Sequence, residues 1–319
     1  MPAPSGYTTA QKLFLIDLAK NLFPNNEFLA QSKDWSKYAV GNEVIWQQSG
    51  AIPNTVINNA TVPLTAIRRN DIKRAFSIDE YQSIPTRLDW SEELLVSYDK
   101  RADVLENHQK QIEVDLVMRT LYNWALNAGV IRTTGATRPA SAAGATGLRN
   151  SVTYKDLIAL RKLIVKQEVK LEAGKMNILL PVDLEEDIMN LIEFKSRDFY
   201  PTGNGGSNGA NGGSTVMNGL LGTIAGCNVW TRSSSLVTNA AGGVQNPKAD
   251  DTVASRAGAI SDNQGIIMWH SDYVIRAKSK ATKVNIVEQH GGLEISITAV
   301  AGGSNMYATP RGIAVLAEV

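Results

Sequence analysis

The sequence predicts an α+β fold, and three observations carry that reading. Residues 99–128 are a run of strong helix formers with no Gly or Pro inside it. Residues 48–86 carry three prolines, many Asn and Thr, and short runs in which polar and apolar residues alternate. From residue 265 to the end, the pattern is one strand after another.

The chain opens with apolar residues at 14, 15, 18, 19 and 22, the spacing of an amphipathic helix, with Thr8 or Thr9 as its cap. Asp17 and Lys20 interrupt the apolar run and no small-residue cleavage site follows. Residues 1–47 are therefore read as an arm and not as a signal peptide. In the next stretch, Arg74-Ala75-Phe76-Ser77-Ile78-Asp79 has the period of a half-exposed strand. Pro53 and Pro63 confine the first half of that stretch to an edge strand or an irregular arm. A long two-stranded excursion fits these signals. Such a hairpin is marginal alone in water, so something outside it must cover its apolar face.

The long helix follows. Asp99 and Asp103 favour the positive end of its dipole, and Gly129 is placed to close the other end. Leu105, Ile112 and Leu116 line one stripe, and Val114, Val117, Leu121, Trp124 and Ala128 line a second that overlaps it. At 1.5 Å per residue it would reach about 45 Å. It lacks a sustained heptad, so it spans a domain and does not form a coiled coil. Residues 130–150 read as a Thr- and Ala-rich loop. A helix from Val152 to Glu168, capped by Ser151 or Thr153, precedes a buried-type strand from Met176 to Leu180 and a helix from Asp183 to Phe194. Residues 203–213 contain six glycines among Asn, Ser and one Ala, which predicts a mobile surface loop. GLLGTIAGCNVWTRSSSL then reads as a turn and strand, and residues 239–247 are a second loose stretch. Gly291-Gly292 between alternating runs signals a hairpin, and RGIAVLAEV is the last strand.

Composition narrows the function. The 319 residues suit one large domain or two, without internal repeat. Lys and Arg total 32 against 31 Asp and Glu, a formal charge of +1, too little to grip nucleic acid by neutralising phosphates. The single cysteine, Cys227, excludes an internal disulfide and a cysteine-based zinc site. No segment has the roughly 18 to 20 consecutive apolar residues of a membrane helix.

Candidate chemistry is sparse. The glycine-rich run lacks the Lys-Ser/Thr of a phosphate loop and the strand-to-helix setting of a dinucleotide loop. GLLG resembles an RNA-backbone clamp but lacks its flanking helices, and reads as a turn. Asp183, Glu185, Glu186 and Asp187 are a helix start after Pro181, where acids complement the dipole. His270 before Ser271-Asp272 has no nucleophile turn to serve, and reads as a strand-end histidine. His290 falls in the Gly-Gly turn, His108 faces a partner or solvent, and Cys227 is a buried small hydrophobe. No catalytic, cofactor or metal residues are assigned. Arg68, Arg69, Lys73 and Arg74 form the one basic cluster, interrupted by Asp71, which suits docking between proteins better than nucleic-acid contact.

The order of pieces carries a resemblance. An arm, a long excursion, one lone helix, a helix–strand–helix unit and closing strands are similar to the major capsid proteins of tailed bacteriophages, a fold of the Hong Kong ninety-seven type shared with encapsulins and the herpesvirus capsid floor. PLTAIRRNDIKRAFSIDEYQSIPTRLDWSEELLVSYDKRADVLENHQKQI resembles the extended loop running into the spine helix. GLLGTIAGCNVWTRSSSL, IMWHSDYVIRAKSK and MYATPRGIAVLAEV resemble later axial-domain strands, from about residue 40 to the end overall. The resemblance implies an arm over 1–47, an extended loop over 48–90, and the spine helix with its connector over 91–150. It implies an axial domain over 151–264 and closing strands of the axial and peripheral domains over 265–319.

The function implied is a virion shell, icosahedral or prolate, of pentamers and hexamers around double-stranded DNA. Implied partners are further copies of the chain, a separate scaffolding protein, a portal and a decoration protein, with non-specific contact to packaged DNA, no membrane and no cofactor. Intersubunit contacts are expected at Phe14, Leu18 and Leu22 of the arm and at Arg68, Arg69, Lys73, Arg74 and Phe76 of the loop. Some relatives cross-link Lys to Asn. Lys73 with Asn285 or Asn305 is the nearest equivalent here, and no cross-link is expected. An encapsulin-like compartment is the neighbouring alternative, disfavoured by the length of 48–86. A soluble enzyme using Asp183, Glu186 and His270, or a sugar- or surface-binding module on the strand-rich C-terminal half, would be a different class.

Overall fold

A computed structural model describes residues 24, 26–50, 52, 54–59, 66, 68–89, 100–172, 174–191, 220–246, 258–278, 282–289 and 291–319. The expected arm helix and the glycine-rich run at 203–213 lie outside these residues. The N-terminal part gives β1 (Lys33–Asp34), β2 (Ala39–Val40), β3 (Glu43–Gln48), β4 (Ile72–Ser77), β5 (Asp79–Gln82) and β6 (Thr86–Asp89). The long helix is α1 (Lys100–Ala125), followed by β7 (Gly129–Arg132), β8 (Thr137–Pro139) and β9 (Leu148–Asn150). Then come α2 (Tyr154–Lys166), β10 (Met176–Pro181), α3 (Glu185–Asn190), β11 (Leu220–Ile224), β12 (Cys227–Arg232) and β13 (Leu236–Thr238). The chain closes with β14 (Asn263–His270), β15 (Val274–Lys278), β16 (Lys283–Gln289), β17 (Gly292–Asn305) and β18 (Ile313–Ala317).

Two sheets organise these elements. The central sheet runs β11-β12-β10-β14-β18-β7, with β13 paired to β14. Its three middle strands are buried at every position, β10 as MNILLP, β14 as NQGIIMWH and β18 as IAVLA. Side chains alternate across a strand, so each strand feeds two cores. Ile178, Leu180, Ile266, Met268, Ala314 and Leu316 pack under α2 and α3 through Leu157, Leu160, Ile164 and Ile188. Leu179, Ile267, Trp269, Ile313 and Val315 face the other way, onto Val117, Leu121 and Trp124 of α1. The start of α2 is fixed by a capping box, in which Thr153 accepts from Asp156 N–H and Asp156 accepts from Thr153 N–H.

The second, peripheral sheet is built on β17, which is 14 residues long. β15 and β16 pair along one edge of it, and β5 and β6 along the other. α1 lies over this strand: Leu105 and Ile112 pack on Ile295, Ile297 and Ala299. The same helix thus covers the peripheral sheet with one half and the central sheet with the other, at about 39 Å for its 26 residues. Close approach is possible because Gly303 has no side chain. A Cβ there would lie 2.6 Å from Thr120 Cγ2 and 2.9 Å from Trp124 Nε1. Trp124 uses that proximity to donate from Nε1 to Ile275 O at 3.0 Å.

The segment before β1 is pinned to the helix side of the central sheet. Phe28 meets Trp269 edge-on at 6.0 Å, and Trp269 Nε1 donates to Gln31 O at 2.8 Å.

Several expectations change. α1 ends at Ala125, and Asn127 (φ 60), not Gly129, takes the left-handed position, because Gly129 is already the first residue of a strand. Residues 130–150 are not simply a loop. β7 pairs in parallel with β18 in the central sheet, a pairing decided by burial and not by local propensity. Gly222 of GLLG lies in β11, beside an irregular register, and the turn comes later at Ala225 (φ 51) and Gly226 (φ 78). The second helix of the axial unit is a single 3₁₀ turn at Val182–Leu184 plus α3, and α3 stops at Asn190. His108 does not simply face outward, since its Nε2 is buried.

Candidate assembly surfaces

The excursion stands on an aromatic base. β3 and β4 pair antiparallel from Glu43↔Ser77 to Gln48↔Ile72, so Val44, Trp46 and Phe76 share a face. Trp46 stacks edge-on to Phe76 at 6.0 Å and to Trp35 at 5.5 Å, and Trp35 to Tyr38 at 6.0 Å. Beneath this ladder Val44, Ile78 and Ala277 are buried, and Trp46 Nε1 donates to Met306 O at 3.2 Å. The hairpin is therefore fixed where it leaves the body. Its far end is not covered by the described residues: Ile52 is 88% and Ile57 84% exposed, with Ile45 and Ile72 also open to solvent.

The four expected basic contacts divide into two pairs. Arg69 Nε lies 2.7 Å from Asp71 Oδ1, and its Nη2 donates to Ser49 Oγ at 2.8 Å. Asp71 also accepts from Gly50 N–H at 2.8 Å. That bond, and next Arg69, hold the Asp71 carboxyl below its ordinary range. Arg74 Nε donates to Gln48 Oε1 at 3.2 Å. Arg69 and Arg74 thus brace the hairpin across its two strands. Arg68 and Lys73 are exposed and make no ion pair among the described residues. Phe76 points into the aromatic base, while Phe14, Leu18 and Leu22 lie outside the described residues. The aromatic base itself was not anticipated; its only signal was the density of Trp and Tyr between residues 35 and 46.

A second surface is β16, which among the described residues pairs only with β17 and has no partner on its other edge. Val284, Ile286 and Val287 on it are exposed, and no Pro or bulge protects it. Asn285 lies on this strand, whereas Asn305 is buried, its Nδ2 donating to Arg311 O at 3.3 Å and its Oδ1 accepting from Tyr307 N–H at 2.9 Å.

The residues that could suggest an enzyme are dispersed. Asp183 accepts from Gln264 near the start of β14, and His270 is the last residue of that strand. Gln264 and His270 lie six positions apart along that strand, about 20 Å. Asp187 accepts from Val152 N–H at 3.0 Å and meets Arg138 Nε at 3.2 Å, a structural tie between α3 and the strands beside it. Burial pushes the Cys227 thiol up to about 11. No group of three His, Cys, Asp or Glu able to hold a metal ion occurs among the described residues. No helix among them is long and apolar enough to cross a membrane.

No family model matches the sequence, and no curated protein matches it. Solved structures do match, over nearly the whole chain. The capsid of cyanophage P-SCSP1u superposes with a TM-score of 0.62 at 15% identity, covering 94% of this chain and 90% of that one. The fold is that of tailed-phage capsid proteins. The capsid of Ralstonia phage GP4 gives 0.61 at 11% identity over 95% and 93% of the two chains. A chain of Mycobacterium phage Che8 gives 0.60 at 14% identity over 94% and 93%.

Proposed function

We propose that this chain is the major shell subunit of a tailed bacteriophage, assembling as pentamers and hexamers into an icosahedral or prolate capsid around double-stranded DNA. The observation that carries the proposal is the extended loop, braced at its base and exposing apolar side chains along its described residues. A hairpin that exposes Ile45, Ile52, Ile57 and Ile72 leaves apolar surface that a second copy of the chain would cover. The near-zero net charge suits a wall that touches DNA without gripping it. The subunit acts structurally and without a cofactor, in the virion. A separate scaffolding protein, a portal and a decoration protein are its expected partners.

Arg68 and Lys73, which make no ion pair among the described residues, give the test. Arg68→Glu with Lys73→Glu should leave the subunit folded by circular dichroism and abolish shells in negative-stain electron microscopy. Normal shell yield from the double variant would remove these residues from assembly. A wild-type chain that stays monomeric at high concentration, with or without scaffold, would remove the shell itself.

A further inference from the structure

The turn that joins the two sheets is built against a neutral histidine. β14 of the central sheet ends at His270, and β15 of the peripheral sheet begins at Val274. His270 is 2% exposed. Its backbone N–H donates to Gly312 O at 2.8 Å, and its ring meets Tyr273 edge-on, with centroids 5.1 Å apart at 85°. Its Nδ1 accepts from the Asp272 backbone N–H at 3.2 Å. An accepting Nδ1 is unprotonated, so the ring's single proton sits on Nε2, which is buried and has no hydrogen-bond partner among the described residues.

The rest of the turn is tied down by polar contacts. Ser271 N–H donates to Lys175 O at 2.9 Å, and Asn177 Nδ2 donates to Ser271 Oγ at 3.0 Å. Lys175 Nζ sits 2.7 Å from Asp272 and 2.6 Å from Glu172, and Lys33 lies 3.7 Å from Asp272. Tyr273 packs against Gly312, where a Cβ would come within 2.8 Å of the ring, and also stacks on Tyr307 at 5.7 Å.

Burial is the largest influence on whether the ring can ionise, ahead of its charged neighbours. Asp272 and Glu172 favour the imidazolium, while Lys175 and Lys33 oppose it. Both carboxylates are already engaged by Lys175, which leaves no free anion to pair with a charged ring. Burial outweighs the rest and holds His270 below the ordinary histidine value.

We propose that His270 is an acid-sensitive latch on the joint between the central and peripheral sheets. Neutral, its Nδ1 holds residues 271–273 in place. Protonated, it loses that acceptor, puts an unpaired charge beneath the turn, and frees β15 to shift against β14. The latch belongs to the single subunit and does not depend on the shell reading.

The sign follows from linkage. As pH falls through about 6.5, the unfolded chain takes up the proton first, so the folded state loses stability on the acid side. At about pH 5.5 the limit of this loss is about tenfold in the folding equilibrium constant. His108, also held low by burial, adds to the wild-type profile.

Three readings test the latch on the purified full chain. Nuclear magnetic resonance of the imidazoles should show His270 titrating below the ordinary range; titration at or above it overturns the proposal. Urea unfolding at about pH 7.5 and about pH 5.5 should show wild type losing up to about tenfold more than His270→Gln, which keeps an acceptor but does not titrate. His108 is common to both chains and cancels, so parallel profiles overturn the proposal. Hydrogen exchange, corrected for its intrinsic pH dependence, should accelerate at 271–278 before β10, whereas uniform acceleration would mean global destabilisation and no latch. If His270→Gln does not fold, His270→Asn replaces it, and the resonance and exchange measurements on the unaltered chain still decide.

Discussion

Gly303→Ala tests the geometry that seats the long helix α1 on the peripheral sheet. The new methyl would stand 2.6 Å from Thr120 Cγ2, 2.8 Å from Ile275 O and 2.9 Å from Trp124 Nε1. All three are well inside van der Waals contact, and two belong to the helix while the third is strand backbone. Relief requires α1 to lift from β15 and β17. Overpacking of this kind costs about 1–3 kcal/mol. The lift also stretches the 3.0 Å bond from Trp124 Nε1 to Ile275 O, worth about 1 kcal/mol where both groups are buried. The sum is about 2–4 kcal/mol. The neighbouring glycine supplies the control, since a Cβ at Gly302 meets nothing closer than Ile78 Cα at 3.6 Å. Gly302→Ala should therefore be accommodated, and stabilise by about 0.4–1 kcal/mol through the lower entropy of the unfolded chain. Urea unfolding followed by tryptophan fluorescence measures both. If Gly303→Ala is as stable as wild type, or the two alanines cost the same, the close seat of the helix is wrong.

Two further predictions concern single side chains. Asp156→Ala should cost about 2–4 kcal/mol by chemical denaturation, since it ends the capping box and strips acceptors from Thr153 N–H at 2.9 Å, Thr134 N–H at 3.1 Å and Thr134 Oγ1 at 2.7 Å. Asp156→Asn, which keeps one acceptor, should cost less; equal costs would refute the capping role. Cys227 should resist a thiol reagent in native buffer near neutral pH and react fully in concentrated guanidinium, because burial both raises its thiol to about 11 and hides it. Rapid native labelling would show that the β11–β12 hairpin opens.

Much of the fold was legible because its signals are local. A helix without Gly or Pro, a Thr-x-x-Asp start at Thr153, the largely apolar run of β10 and the fully apolar run of β18 announce themselves within a few residues. Strand β7 was missed because Val130-Ile131 is too short a run to mark a strand until β18 lies beside it. Of the assembly residues, the basic cluster was visible as composition. Which of its members lack a partner among the described residues was not, because Arg69 and Arg74 find their partners, Ser49 and Gln48, on the opposite side of the hairpin.

The sequence by itself determined an α+β chain with a helix long enough to span a domain and an excursion that carries three prolines. Only the tertiary structure decided that β17 carries four strands on its two edges, that the helix seats at Gly303, and that Trp46 reaches Met306 O across 260 residues to brace the excursion. The physical reason is range. Helix propensity, capping and period-two alternation act between residues a turn or two apart, whereas strand partners and interlocking side chains are selected by mutual burial when the whole chain has closed on itself.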